Sequence, residues 1–200
     1  MTPTHASTSA PAPAAQTPKT VSDKNLVWMD LEMTGLDPEK ERIIEIATII
    51  TDGDLNVIAE GPDLVIHQPA KLLKAMDEWN QTQHAKSGLI EKVKHSKLTE
   101  EEAEKQTLEF ISRYVPAKNS PLCGNSIHHD RRFLIKYMPL INEHLHYRHI
   151  DVTTVKALVQ RWYTSPRRYI QKKEKHRALT DVRESIAELK YLREHYFVKR

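Results

Sequence analysis

The sequence predicts an α/β fold in which a mixed sheet, antiparallel at its start and parallel later, is flanked by α-helices. Three observations carry that expectation. The first part of the chain holds short β-rich runs split by a turn sequence. The remainder alternates between helical and strand-like patterns. The last helix shows an unbroken apolar stripe. Strands first, then alternating helix and strand, is the order of a mixed sheet with helices packed on it.

Each element has a local reason. Leu26 to Met29 is a short apolar run that leads into Asp30-Leu31-Glu32 and reads as a buried strand. Ile43 to Thr51 and Val57 to His67 are β-rich and flank Asp52-Gly53-Asp54-Leu55-Asn56, so a hairpin is expected. After Pro69, the positions Leu72, Leu73, Met76 and Trp79 share one helical face. Thr99 and Glu102 have capping-box spacing ahead of Ala103, Thr107, Phe110, Ile111 and Tyr114, and Pro116 stops that helix. Leu122 to Gly124 reads as a short buried strand and about Asp130 to Met138 as a helix. Tyr147 to Asp151 reads as a further strand and Val152 to Trp162 as a helix. Val182, Ile186, Leu189, Leu192 and Tyr196 recur at helical spacing and mark the last helix.

At 200 residues, with 39% apolar and 28% charged side chains, the chain suits one domain with a proper core. No apolar run approaches the roughly 18 residues a membrane span needs, so no membrane association is expected. Residues 1–22, rich in Ala, Pro, Ser and Thr, read as a disordered tail before a single domain at 23–200. The one cysteine, Cys123, excludes an internal disulfide framework and fits a reducing cytoplasm. Net charge is only +3, but Arg161, Arg167, Arg168, Lys172, Lys173, Lys175 and Arg177 cluster against one acid, Glu174. Such a run is either a solvated basic loop or a local positive field for a phosphate chain.

Asp30 and Glu32, two apart on a strand, project from one face. Two carboxylates there need a partner, unless they sit hydrated at a frayed strand end. Asp130 and Asp181 stand near helix starts, where a carboxylate can also simply cap free N–H groups. His176 precedes Asp181 by five residues, about 500° of helix, so it can share a site with Asp181 only from the segment entering that helix. Each residue has an innocent reading alone; four acids at element ends that can converge do not.

Asp30-Leu31-Glu32-Met33-Thr34-Gly35-Leu36, then Asp130, then His176-x₄-Asp181, resembles the DEDDh exonucleases, which have a ribonuclease H-like fold. Longer blocks are similar to the oligoribonucleases within that superfamily. They include Arg42 to Ala47, Met76 to Asn80, Gly124 to Ile127, Asp130 to Leu134, His146 to Arg148 and Arg183 to Leu189. The resemblance implies a 3′→5′ exoribonuclease that degrades short single-stranded RNA, two to five nucleotides and down to dinucleotides, to nucleoside 5′-monophosphates. It implies two divalent ions, Mg²⁺ or Mn²⁺, held by Asp30, Glu32, Asp130 and Asp181, with His176 as general base. It also implies that Leu36 and Trp79 flank the bases. Ser126, Tyr147, Arg148 and Thr153 would cap the 5′ phosphate, with Tyr147 and Arg148 from a second subunit of a homodimer. Core packing is the alternative for Trp79 and Tyr147. His128-His129 stand where Gly-Gln is frequent in the family, and Thr153 replaces a usual serine. A DNA-directed or tRNA-trimming member of the superfamily, and an inactive RNA-binding module, are the rival readings.

Overall fold

The computed structural model describes residues 21–164 and 177–198. His176, nearly all of the expected tail and most of the basic run lie outside the described residues.

Strands β1 (Leu26–Met33), β2 (Ile43–Thr51) and β3 (Val57–Val65) form an antiparallel meander, as the turn sequence between the second and third requires. Two short strands, β4 (Leu122–Gly124) and β5 (His149–Asp151), add in parallel, giving the order β3-β2-β1-β4-β5. Between β3 and β4 lie helices α1 (Ala70–Ala75), α2 (Glu78–Lys86), α3 (Leu89–His95) and α4 (Glu100–Ser112). Helices α5 (His128–Tyr137) and α6 (Pro139–His144) lead to β5; α7 (Val152–Trp162) and α8 (Ala178–Tyr196) follow it. The mixed sheet flanked by helices is therefore as expected.

The pleat of β1 sorts its side chains between two cores. Val27, Met29, Leu31 and Met33 enter one, with Phe133 and Leu134 of α5 and Ala103 and Ile111 of α4. Trp28 enters the other, with Val182, Ile186 and Leu192 of α8. The apolar stripe read for the last helix is thus the face that docks on the sheet. Fully burying one such aliphatic side chain contributes about 1.5–3 kcal/mol.

Some boundaries differ. The single helix expected after Pro69 is broken: Met76 is extended at φ −55°, ψ 148°, and Asp77 starts α2 by accepting the Asn80 N–H at 2.8 Å. Trp79 consequently leaves the face of Leu73 and Met76 and points outward, 59% exposed, which removes the core-packing reading. The fifth strand begins at His149, not Tyr147, and Tyr147 is 73% exposed, so it is no core strand residue either. α5 begins at His128 rather than Asp130, and the short helices α3 and α6 have no counterpart in the sequence reading. The capping box at Thr99 and Glu102 is present.

Candidate active site

Asp30 and Glu32 continue the Trp28 face of β1 beyond the point where the core ends, and both are half-buried. α8 packs on that same face, and its first turn carries Asp181, 9% exposed. One carboxylate oxygen from each of Asp30, Glu32 and Asp181 lies within 4.8 Å of the others. Ionised carboxylates at that spacing repel by roughly 3–4 kcal/mol per pair at an effective dielectric of 20. Three hard oxygen donors of one sign suit a divalent cation of the Mg²⁺ class better than zinc, which takes nitrogen or sulfur readily. The donor set therefore fits a divalent metal.

Asp130 sits apart from that trio yet is tied to it. It lies in the first turn of α5, 6% exposed, and its Oδ1 accepts the Leu31 N–H at 2.9 Å. Leu31 is the residue between Asp30 and Glu32. β4 has ended at Gly124 by this level of the sheet, so a side chain from α5 takes the β1 donor. Close approach of β4 needs that glycine: a Cβ there would stand 2.9 Å from the Met29 carbonyl oxygen. Ile127, not Asp130, is the N-cap residue, and the Asp130 carboxylate engages its own N–H in the first turn of α5 as well as the strand. Burial pushes its carboxyl up to about 7.

A second cluster forms where β4 and β5 end. Ser126 adopts a left-handed backbone, φ 51°, that turns its N–H toward Asp151 Oδ1 and Thr153 Oγ1, each at 3.0 Å. Thr153 Oγ1 donates to Asn125 Oδ1 at 3.0 Å and lies 3.2 Å from Ser126 Oγ. Asn125 Nδ2 in turn donates to Ser185 Oγ at 2.9 Å, and Ser185 Oγ donates to the Asp181 carbonyl at 2.9 Å. A chain of bonds thus joins the two hydroxyls expected to cap a phosphate to the helix that carries Asp181.

Residues 27–189 match the exonuclease family model. The oligoribonuclease of Bordetella pertussis is 58% identical over 174 residues, covering 87% of this chain and 96% of that protein. That of Coxiella burnetii is also 58% identical over 174 residues, covering 87% and 95%. The chain belongs to the oligoribonuclease family. Among solved structures, Escherichia coli exonuclease I in complex with a dT13 oligonucleotide aligns with TM-score 0.63 at 17% identity, over 85% of this chain. Exonuclease I of Methylocaldum szegediense aligns with TM-score 0.61 at 20% identity, over 86% of this chain. This chain spans 41% of the length of each of those two structures, and they establish the shared fold.

Leu36, Trp79, Tyr147 and Arg148, expected to seat the substrate, are all exposed. Leu36, 57% exposed, lies in the β1–β2 loop, which Tyr137 of α5 ties down by donating to the Pro38 carbonyl at 2.7 Å. Trp79 lines an open cleft with Thr82 and Gln83 on α2. Tyr147 and Arg148 are exposed on the α6–β5 connection, the guanidinium 5.6 Å from the Tyr147 ring centre. His128 Nδ1 is 3.9 Å from Asp151 Oδ2, and burial holds the neighbouring His129 below the ordinary imidazole range. No helix among the described residues is long and apolar enough to cross a membrane.

Two site neighbours escape sequence reasoning. His84 of α2 is buried, its Nε2 donates to the Met33 carbonyl at 3.0 Å, and its Nδ1 lies 3.9 Å from Glu32 Oε2. Glu45 of β2 stands directly across the sheet from Glu32. Neither sits in a spacing pattern that marks it; only the charge within the apolar run of β2 hints at Glu45.

Proposed function

We propose that this chain is a 3′→5′ exoribonuclease that trims short single-stranded oligoribonucleotides, down to dinucleotides, to nucleoside 5′-monophosphates. The observation that carries the reading is the meeting of Asp30, Glu32 and Asp181 within 4.8 Å, in a chain of the oligoribonuclease family.

Asp30, Glu32 and Asp181, with Asp130 beside them, would hold two divalent ions, Mg²⁺ or Mn²⁺. Such ions, when bound, supply positive charge that offsets the acidic cluster and stabilises charge on the reacting phosphate. His176, next to Arg177 in the chain, takes the proton of the attacking water; an imidazole near its ordinary pKa of ~6.5 suits that role at neutral pH. The water oxygen bonds to the terminal phosphorus, the bond from phosphorus to the preceding O3′ breaks, and that oxygen leaves as a hydroxyl once protonated. Leu36 and Trp79 seat the bases. Ser126 and Thr153 receive the 5′ phosphate, joined by Tyr147 and Arg148 of a second copy, so the working form is a homodimer. Exposed Tyr147 and Arg148, far too accessible for core residues, support that assignment. The cytoplasm is the compartment that fits the lone buried Cys123.

The test is a length series of 5′-labelled RNA, from a dinucleotide to a long strand, with Mn²⁺ or with EDTA. The expected result is fast, metal-dependent release of mononucleotide from the dinucleotide. Equal or faster cutting of the long strand would favour a processive nuclease, and turnover in EDTA would remove the metal centre from the reading.

A further inference from the structure

Glu45 is a carboxylate with no exposed side-chain surface, in a strand whose every residue is buried. Its register partner across the sheet is Glu32, so both side chains project from the face that bears the acidic centre. α8 begins directly above it. Arg177 Nε donates to Glu45 Oε1 at 2.7 Å, Arg177 Nη2 lies 2.5 Å from the same oxygen, and Ala178 N–H donates to Oε2 at 3.1 Å. Arg177 Nη2 is also 3.5 Å from Asp63 Oδ2 of β3. Arg177 is the N-cap residue of α8 but makes no side-chain cap bond of its own. A carboxylate from β2 caps the helix instead.

Arg177 immediately precedes α8, and Asp181 follows in its first turn. The Asp181 N–H donates to the Arg177 carbonyl at 3.0 Å, which closes the turn that separates them. Arg183 on Glu60 at 2.6 Å and Arg193 on Asp54 at 3.4 Å also dock this helix and are exposed, and Lys156 of α7 pairs with Glu188 at 3.1 Å from a partly exposed position. The Glu45 carboxylate is fully buried, and its pair with Arg177 lies at the end that bears Asp181. A buried ion pair is a poor source of net stability, because desolvation offsets much of its attraction and apolar residues of similar size often serve as well. A fixed geometry is what apolar residues cannot reproduce.

We propose that Glu45 and Arg177 are positioning residues for the metal centre: the buried pair locks the first turn of α8 so that Asp181 meets Asp30 and Glu32. This rests on the reading of Asp181 as a metal ligand. Groups just outside a metal's own ligands typically change metal affinity or activity by about 10–100-fold when altered. Lysine at position 177 keeps the charge but loses the planar fork that engages Glu45.

The experiment measures Mn²⁺ binding by calorimetry, thermal midpoint and dinucleotide kinetics on the full-length protein. Its variants are Arg177→Lys, Asp181→Asn, Arg193→Gln and the double change Glu45→Met with Arg177→Met. The expected result for Arg177→Lys is Mn²⁺ affinity and kcat each lower by about tenfold or more, with KM for the dinucleotide within about threefold. Arg193→Gln, at the far end of α8, leaves Mn²⁺ affinity unchanged. The double variant removes both buried charges; the proposal expects a folded protein that still binds Mn²⁺ weakly. Wild-type Mn²⁺ affinity in folded Arg177→Lys, or in the folded double variant, overturns the proposal even if the thermal midpoint falls. Should the double variant fail to fold, Arg177→Lys decides alone. Unchanged Mn²⁺ binding in Asp181→Asn would instead sink the metal-ligand reading beneath it.

Discussion

Asp130 is 6% exposed and bonded to the β1 backbone, whereas Trp79 and Tyr147 are 59% and 73% exposed on α2 and on a connection. The acidic centre grows from β1 and from the first turns of two helices packed on the sheet. Trp79 rests on a short helix, and Leu36, Tyr147 and Arg148 on two connecting segments. Groups that must meet a cation to within a fraction of an ångström belong on rigid elements, while groups that stack on any base tolerate looser mounting. Under the proposed function, that contrast sets chemistry, built within one subunit, against substrate seating, shared between subunits.

The strongest challenge to that contrast is Asp30→Asn, which preserves shape and removes one charge. Dinucleotide cleavage should fall by about 10²–10³-fold or more. The thermal midpoint in EDTA should hold or rise, because a repulsive neighbour is gone. A modest loss of activity would mean that the trio is not the reacting centre.

Trp79→Ala probes the exposed group. Stacking on an aromatic ring is worth about 1–3 kcal/mol per base, so KM for the dinucleotide should rise roughly 5- to 150-fold. The melting curve should barely move, as expected of an exposed side chain. A large loss of stability would return Trp79 to the core.

Tyr147→Ala sharpens the division between subunits. Activity should drop about tenfold, and mixing this protein with Asp30→Asn under subunit exchange should restore part of it. The mixed dimer pairs an intact acidic centre with an intact Tyr147 from the other copy. No recovery on mixing would place Tyr147 in its own subunit's site or outside any site.

The smallest expected effect is a pH dependence of the metal-free protein. Burial raises the Asp130 carboxyl from 3.8 to about 7. The stability linked to this group is intact below the unfolded value and is lost as pH rises through about 7. Calorimetry in EDTA should therefore show a thermal midpoint that declines across that window more steeply than in Asp130→Asn. Parallel curves for the two proteins would show that Asp130 is not the titrating group.

Much of this was readable from local pattern. The apolar run that opens β1, the turn after Thr51, the capping box at Thr99 and the apolar stripe of α8 are each properties of a few neighbouring residues. The structure bears them out because local spacing and side-chain chemistry suffice to specify them. Chain-long motif blocks likewise pointed to the family that 58% identity to known oligoribonucleases establishes. Local pattern misled where backbone geometry intervened: the apolar spacing ran on through Met76, but the Asp77 cap ended one helix and started another, which turned Trp79 outward.

Taken alone, the amino-acid order determined the main strands and the longer helices and which four acids deserved suspicion. It could not say that Asp130 would bond to a backbone donor 99 residues away, or that Glu45 would cap a helix 133 residues on. Nor could it place His84 beside Glu32. Those contacts arise only when the sheet and its helices pack, because burial and opposed charge act through space and leave no period in the chain.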